Sequence, residues 1–130
     1  MDDKFKIEII SPEKIIFSGD GTLVKFPSYE GDMSVLKNHI PIITFLRPGI
    51  INLQKNENSD NFFVQDGTIE YFNDNLVVLS SSVKNLKDLS KESIEDLKKE
   101  TQDKLLEKNL TDHDRYVLNH KLDVLKVMKI

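Results

Sequence analysis

The sequence predicts an all-β sandwich N-terminal domain, residues 1–85, followed by an α-helical hairpin of two antiparallel helices, residues 86–130. All five glycines and all four prolines lie in the first part. Apolar residues alternate with polar ones there, as in half-buried strands, but recur every three or four residues in the second part, as in amphipathic helices. Charge divides too: residues 1–84 carry 8 basic and 12 acidic groups, and residues 85–130 carry 10 of each.

About eight short strands are predicted in the first part. In the first of them Phe5, Ile7 and Ile9 alternate with charged residues until Ser11-Pro12 ends the pattern. The apolar segments that predict strands cover residues 5–9, 15–17, 23–26, 42–46, 50–53, 62–64, 69–71 and 76–79. Short strands at this spacing are typical of a sandwich or a barrel.

Three glycine-containing segments are expected in loops between these strands: Glu30-Gly31-Asp32, Arg47-Pro48-Gly49 and Asp66-Gly67. Glycine allows the left-handed backbone conformations that tight turns require. Taken as residues alone, the three segments indicate turns, and the alternative is that they shape loops that a partner grips.

The first helix is predicted to begin after Ser90, a candidate N-cap. Its apolar residues form a narrow seam with spacings of 3, 4 and 4 residues: Ile94, Leu97, Thr101 and Leu105. A narrow seam of this kind is enough to pack against one partner helix.

The second helix follows a break at Asn109-Leu110. Thr111 is its candidate N-cap, and Asp114 occupies the acidic position of a capping-box-like start. Its apolar stripe is broader: Val117, Leu118, Leu122, Val124, Leu125 and Met128. Helices joined by a tight connection pair antiparallel, and the broad stripe allows the second helix to face both the first helix and another surface.

Composition excludes several classes of protein. The absence of cysteine excludes disulfide scaffolds, thiol catalysis and cysteine-based zinc sites. The net charge of -4 argues against a nucleic-acid binder, which needs a basic footprint. No apolar run approaches the roughly 18 residues of a membrane span, and the start Met1-Asp2-Asp3-Lys4 lacks the pattern of a signal peptide.

The residues that catalysis or metal binding would need do not form a constellation. His39 is expected in a loop, where a lone histidine is more often a structural or binding contact than a general base. His113 and His120 are seven residues apart, whereas metal-binding pairs on a helix are usually four apart. A small hydrolase using His39 with Asp66 would lack a nucleophile and an oxyanion loop. We therefore expect no enzyme activity and no metal site.

The central segment resembles a known family. Residues 30–44, EGDMSVLKNHIPIIT, and then LRPG at 46–49, resemble the signature of the epsilon subunit of F-type ATP synthase, the equivalent of mitochondrial delta. Ser11-Pro12-Glu13 and Phe17-Ser18-Gly19 are similar to the first hairpin of that family. Its later strands are matched by Phe63-Val64, Gly67-Thr68-Ile69-Glu70 and Val77-Val78-Leu79, and its helical hairpin agrees in order and size, so the resemblance covers essentially the whole chain. One departure is Ser34, which stands at a usual glycine and would be strained if a positive φ were required there.

The resemblance implies a non-catalytic central-stalk (rotor) subunit that couples gamma to the c-ring for proton-driven ATP synthesis. It implies gamma contacts at Ser11, His39 and Thr44. It implies c-ring contacts in the loop of Ser28, Tyr29, Glu30, Gly31 and Asp32. It also implies that the helical hairpin inhibits ATP hydrolysis by reaching the alpha/beta catalytic head. The expected location is the cytoplasmic face of the bacterial inner membrane, with membrane association only through the complex.

A second departure concerns nucleotide binding. Many bacterial members carry an ATP-binding motif, I/L-D-x-x-R-A, at the first helix, but Ser90 and Ser93 stand here at its Asp and Arg positions. Without the carboxylate and guanidinium the charge-assisted contacts to ATP are lost, so no ATP cofactor is expected. Basic residues of the hairpin are the electrostatic candidates for contact with the head: Lys98, Lys99, Lys104, Lys108, Arg115, Lys121, Lys126 and Lys129.

The alternative is a free-standing β-sandwich binding module, for carbohydrate for example, with a helical tail. Such a module would need an exposed aromatic platform. The chain has no tryptophan, and Tyr29, Tyr71 and Tyr116 are far apart in the sequence, which counts against this alternative.

Overall fold

The computed structural model describes residues 3–128, and within them the predicted strands and helical hairpin are present. The ten strands of this region are β1 Phe5–Ile10, β2 Ile15–Gly21, β3 Leu23–Ser28, β4 Gly31–Leu36, β5 Ile42–Leu46, β6 Gly49–Gln54, β7 Ser59–Val64, β8 Gly67–Phe72, β9 Asn75–Leu79 and β10 Val83–Asn85. A 3-10 turn at Leu86–Asp88 leads into helices α1 Lys91–Leu105 and α2 Asp112–Val127.

The strands form one continuous sheet that bends around its own core. Their order is β10-β7-β6-β3-β5-β8-β9-β1-β2, with β4 paired to β3. The β2 end of this path approaches β7, the second strand from the other end, because Phe17 on β2 packs edge-to-face against Phe62 on β7 with ring centroids 5.9 Å apart. The Thr22 N–H then donates to the Gln54 carbonyl, 2.8 Å away. The sheet is therefore a sandwich with barrel-like closure, as predicted.

Alternating strand residues fill the sandwich core. Phe5, Ile7 and Ile9 on β1 are at most 2% exposed, whereas Lys6 between them is exposed. This confirms the predicted two-residue period. Burying a large apolar side chain of this kind contributes about 1.5–3 kcal/mol, so the core supplies most of the rigidity of the sandwich.

The expectation of about eight strands was too low. β4 covers part of the signature that was expected to be a loop, and the three-residue β10 was missed at the sheet edge. The signal for β4 was present: Met33 and Val35 alternate with Asp32 and Ser34. Ser34 is exposed in this strand and does not have a positive φ, so serine at the usual glycine position creates no strain.

Several strands are longer than predicted. β2 runs through Gly21, β7 begins in the polar tract at Ser59, and β3 continues through Pro27. The proline is tolerated because β3 pairs with β6 only as far as Lys25 and with β5 only at Ser28. Pro27 lies in the gap, where that side of the strand needs no ladder N–H.

The helix caps match the prediction. The Ser90 hydroxyl accepts the Ser93 N–H at 3.1 Å and begins α1. Thr111 and Asp114 form a reciprocal capping box at the start of α2, with distances of 3.0 and 3.1 Å. These side chains satisfy backbone N–H groups that the first helical turn leaves free.

The hairpin has a hydrophobic cluster of its own, distinct from the sandwich core. Its buried members are Phe63, Leu89, Ile94 and Leu125. Phe63 on β7 points outward to the hairpin, whereas its neighbour Phe62 belongs to the sandwich core. The broad stripe of α2 thus contacts both α1 and the sandwich, as the sequence predicted.

Candidate functional site

The β3–β4 turn projects Tyr29 and Glu30 from the sandwich. Ser28 is fully buried, and its hydroxyl accepts the Glu30 N–H at 3.0 Å. Gly31 follows with a φ of 119°, a conformation that glycine adopts without strain. This local chemistry makes a tight turn with two exposed side chains at its tip.

Arg47 fixes this turn from the neighbouring β5–β6 connection. Its Nε donates to the Ser28 carbonyl at 2.9 Å, and its Nη2 pairs with Asp32 Oδ1 at 2.7 Å. A Cβ on Gly49 would lie 2.7 Å from Pro27 Cγ, so the connection packs too closely for a larger residue. The two halves of the signature, distant in sequence, therefore build one rigid unit.

The five residues predicted to contact the c-ring come together in this unit, but in different roles. The predicted loop is the end of β3, a two-residue turn and the start of β4. Ser28 is buried and supports the turn, and Asp32 is ion-paired to Arg47 although its side chain is 85% exposed. Glu30 is the exposed carboxylate that has no ion-pair partner among residues 3–128.

The three residues predicted to contact gamma do not form one cluster. Ser11 follows β1, and its hydroxyl donates to the Lys14 carbonyl at 3.1 Å. His39 precedes β5 and packs on Tyr71, with ring centroids 5.8 Å apart. Thr44, in the middle of β5, is only 6% exposed and faces the interior. Ser11 and His39 therefore lie toward opposite ends of β5, and Thr44 lies beneath the surface between them.

The backbone beside His39 is held by Asp74. Its Oδ1 accepts both the Asn38 N–H at 2.9 Å and the Tyr71 hydroxyl at 2.6 Å. Burial, followed by this hydrogen bond, raises the pKa of Tyr71 to about 12. Tyr71 thus remains a neutral donor and keeps the His39 segment in place.

Between Ser11 and His39 the outer face of the sheet exposes several apolar side chains around Glu70, which pairs with Ile43. On β5, Ile43 and Phe45 are 73% and 64% exposed, and Leu79 on β9 is 51% exposed. Phe45 pairs across to Thr68, which pairs across to Leu79, so these residues form one row. A shallow groove of about 700 Å³ runs along this row to Ser11.

Sequence reasoning missed this face, although a signal was available. The run Ile42 to Leu46 is apolar at four of five positions, so the strand presents apolar side chains to both faces of the sheet. In an antiparallel sheet, one face of which usually meets water, such a run indicates a covered outer face. Exposed apolar patches of this kind mark interaction sites.

The β3–β4 turn also contacts the hairpin. Tyr29 stacks on Tyr116 of α2 at 5.6 Å between ring centroids, with an angle of 25° between the rings. His113 lies 6.4 Å from Tyr29, and His120 packs at 4.2 Å on Tyr116. Burial, and then the Tyr116 hydroxyl, raises the pKa of Tyr29. Two of the three tyrosines expected to be scattered are thus in contact, while Tyr71 is buried.

Lys121 is the other feature of α2 that the sequence did not reveal. It is 6% exposed, and its Nζ donates to Gln65 Oε1 on the sandwich at 2.8 Å. Burial, and then the nearby Lys104, lowers the pKa of Lys121. No pattern in the sequence distinguishes this lysine from the exposed lysines around it.

Ser90 and Ser93, the residues at the degenerate ATP-motif positions, lie together at the start of α1. Their hydroxyl oxygens are 2.9 Å apart, and the Ser90 hydroxyl also caps the helix. Neither α1 nor α2 is long and apolar enough to cross a membrane.

Comparison with known proteins identifies the family. Residues 4–85 match the model of the ATP synthase, Delta/Epsilon chain, beta-sandwich domain. The chain is 43% identical over 129 residues to the ATP synthase epsilon chain of Pelagibacter ubique (strain HTCC1062), which covers 98% of this chain and 99% of that one. It is 32% identical over 130 residues to the ATP synthase epsilon chain of Hyphomonas neptunium (strain ATCC 15444), covering 99% and 96%.

Solved structures share the fold. A chain from the Euglena gracilis mitochondrial ATP synthase, OSCP/F1/c-ring in rotational state 1, superposes with a TM-score of 0.74 at 15% identity, covering 97% of this chain and 79% of that one. A chain from the Tetrahymena thermophila mitochondrial ATP synthase central stalk/c-ring gives a TM-score of 0.59 at 13% identity, covering 94% and 91%. With the match of the sandwich and the full-length bacterial relatives, these findings show that the chain belongs to the ATP synthase delta/epsilon chain family.

Proposed function

We propose that this chain is a non-catalytic rotor subunit of an F-type ATP synthase, one that joins the gamma subunit to the c-ring. The observation that carries the proposal is the pairing of two surfaces on one rigid sandwich: an exposed apolar sheet face and a projecting, clamped turn. A torque-transmitting clamp needs two contacts that do not move relative to each other. Solved structures of the same fold support this assignment, since they come from assemblies named OSCP/F1/c-ring in one case and central stalk/c-ring in the other.

Gamma is the occupant that we assign to the apolar face. Ile43, Phe45 and Leu79 are its exposed anchors, and Ser11 and His39 border it. Thr44 contributes from the interior, because its burial holds β5 so that the residues on either side point outward. Buried apolar anchors surrounded by polar groups are the usual anatomy of a stable interface.

The c-ring is the occupant that we assign to the β3–β4 turn. Arg47 already neutralises Asp32, so Glu30 is the carboxylate available to a basic or amide group of the polar loop of the ring. Tyr29 adds a partly exposed ring surface, 41% exposed, next to it. A charged rim group sets the approach and orientation of a partner more than it sets affinity.

The helical hairpin is the proposed regulatory part, which inhibits ATP hydrolysis through contact with the alpha/beta catalytic head. Lys121 is buried against the sandwich and Lys98 is half-buried. The other basic candidates within the described residues are exposed: Lys99, Lys104, Lys108, Arg115 and Lys126. Lys129 lies outside the described residues. Ser90 and Ser93 bond to each other and to the helix start, which supports the proposal that this chain does not bind ATP.

The proposed location is the cytoplasmic face of the bacterial plasma membrane, in a complex that couples proton flow to ATP synthesis. The chain is held there only by its partners.

The test is affinity purification of the tagged chain from its own membranes in mild detergent, with co-purifying subunits identified by mass spectrometry. Phe45→Glu places a charge in the centre of the apolar face and is expected to reduce gamma recovery at least tenfold. Leu106→Glu is the matched control, because Leu106 is 81% exposed at the end of α1, and recovery should be unchanged. Equal gamma recovery with both variants would refute the assignment of this face.

A further inference from the structure

The hairpin and the sandwich are joined by a small set of contacts. Phe63 is the sandwich residue that is buried in the cluster of the hairpin, and Lys121 adds one polar contact to Gln65. Partly buried Ile50 on β6 packs against the same cluster, and Lys87 pairs with Asp60 on β7. At the β3–β4 turn Tyr29 stacks on Tyr116 beside His113. Separate hydrophobic clusters joined by few contacts open independently. The hairpin is therefore a unit able to leave the sandwich without unfolding it.

The tyrosine stack lies at the turn assigned to the c-ring. Tyr29 is carried by a backbone that Ser28 and Arg47 fix, so the turn holds its side chain next to α2. Its neighbours on α2 are Tyr116 and His113, at the first turns of the helix. A c-ring loop that covers Tyr29 together with Glu30 therefore also contacts Tyr116 and His113 of α2.

We propose that Tyr29 is a shared contact, which holds the hairpin on the sandwich through Tyr116 and is taken over by the c-ring loop when the ring is bound. This inference rests on the proposed function for its second half only. Because coupling between two sites is reciprocal, the ring weakens hairpin docking by the same factor by which the docked hairpin weakens ring binding. Binding of the c-ring at the β3–β4 turn thereby lowers the fraction of the hairpin that is docked on the sandwich.

The Tyr29–Tyr116 stack, called the latch from here on, is tested first in the isolated chain. Since the protein has no cysteine, Leu125→Cys gives a single thiol that is fully buried in the docked hairpin. Its rate of labelling by a thiol reagent reports the undocked population. Tyr29→Ala and Tyr116→Ala are each expected to raise this rate about 2- to 12-fold, the factor typical of one aromatic pair. The double variant should exceed neither single variant by more than about twofold, because both remove the same contact.

Two controls distinguish loss of the latch from a general destabilisation of the docked hairpin. Tyr29→Phe keeps the stacking ring and should label at the wild-type rate. Phe72→Ala removes an aromatic side chain that is 56% exposed at the end of β8 and belongs to neither hydrophobic cluster, and it should also leave the rate unchanged. Wild-type labelling in Tyr29→Ala, or full additivity in the double variant, would overturn the latch.

The shared contact is tested in the purified complex, with and without its c-ring, by intact-mass analysis of labelling on this chain alone. The ring should accelerate labelling in the Leu125→Cys chain and should have no effect once Tyr29→Ala is added. A ring that co-purifies but leaves the rate unchanged overturns the competition and leaves the proposed function intact. A chain that never co-purifies with the ring overturns the proposed function and the competition together, while the latch in the isolated chain stands.

Discussion

Replacing Lys121 with methionine should stabilise the docked hairpin. Lys121 is 6% exposed as a residue, and the hydrogen-bond partner that the structure shows for its ammonium group is the neutral side chain of Gln65. A hydrogen bond to a charged group returns about 1.5–3 kcal/mol, whereas the effective desolvation of a buried ion is several kcal/mol. Methionine keeps most of the apolar stem, and half-buried Gln65 regains its hydrogen bond from water. The net gain is about 1 kcal/mol, which raises Tm by about 4 °C in a chain of this size.

The pH dependence gives an independent signature of the same group. Burial lowers the pKa of Lys121, and Lys104 and Lys84 lower it further while Glu100 and Asp66 oppose them. Between that lowered pKa and the ordinary value of 10.5, the unfolded chain binds more protons than the folded one. Stability therefore rises with pH across this window, and the full gain is present only above 10.5.

The assay is thermal and urea denaturation of wild type, Lys121→Met and Lys121→Ala from pH 7 to pH 10.5. We expect Lys121→Met to be more stable at pH 7, and the gap to wild type to narrow as pH rises. Lys121→Ala is the control for packing by the aliphatic part of the side chain. It removes both the charge and that packing, so it should not gain stability. The reasoning is refuted if Lys121→Met is destabilised at pH 7 or if the gap is constant across the range.

Three further predictions concern the turns and the helix caps. Arg47→Ala should lower the free energy of unfolding by about 1–2 kcal/mol and speed amide exchange at the β3–β4 turn. Unchanged exchange would show that the contacts of Arg47 are not needed to hold the turn. Gly67→Ala should lower the free energy of unfolding by more than about 2 kcal/mol, since its φ of 139° is strained for alanine and the added Cβ would collide with the Leu79 carbonyl. Gly31→Ala, which has open space around its Cβ, should lower it by only about 1 kcal/mol, as measured for both variants by urea denaturation. Thr111→Ala should lose about 1 kcal/mol by removing the α2 cap, whereas Thr111→Ser should not, as measured by circular dichroism during urea denaturation.

The fold was predictable from the sequence where local chemistry decides it. Ser90 and Thr111 capped the helices as expected, because a cap needs only the residues beside it. β4 was missed because the turn signal of Glu30-Gly31 outweighed a short alternation, and β3 extended through Pro27 because of pairing between strands distant in sequence. Such pairing is a tertiary property that a local pattern does not contain.

The candidate site was predictable as a segment but not as a geometry. The signature identified residues 28–32 as one unit, and the structure adds that Arg47 clamps it. Thr44 was expected at a surface and is buried, because alternation on β5 turns the residues on either side outward instead. The burial of Lys121 depends on where α2 docks, which the helix pattern alone does not specify.

The most direct test of the central claim, that one rigid sandwich binds two different rotor parts, is site-specific photo-crosslinking in the assembled enzyme. A photoreactive phenylalanine analogue is introduced at Ile43 on the apolar face or at Glu30 on the β3–β4 turn, and the linked subunit is identified by mass spectrometry. We predict that position 43 links to gamma and position 30 links to the c subunit. Links from both positions to the same subunit, or no link from either in an enzyme that contains the chain, would contradict the account.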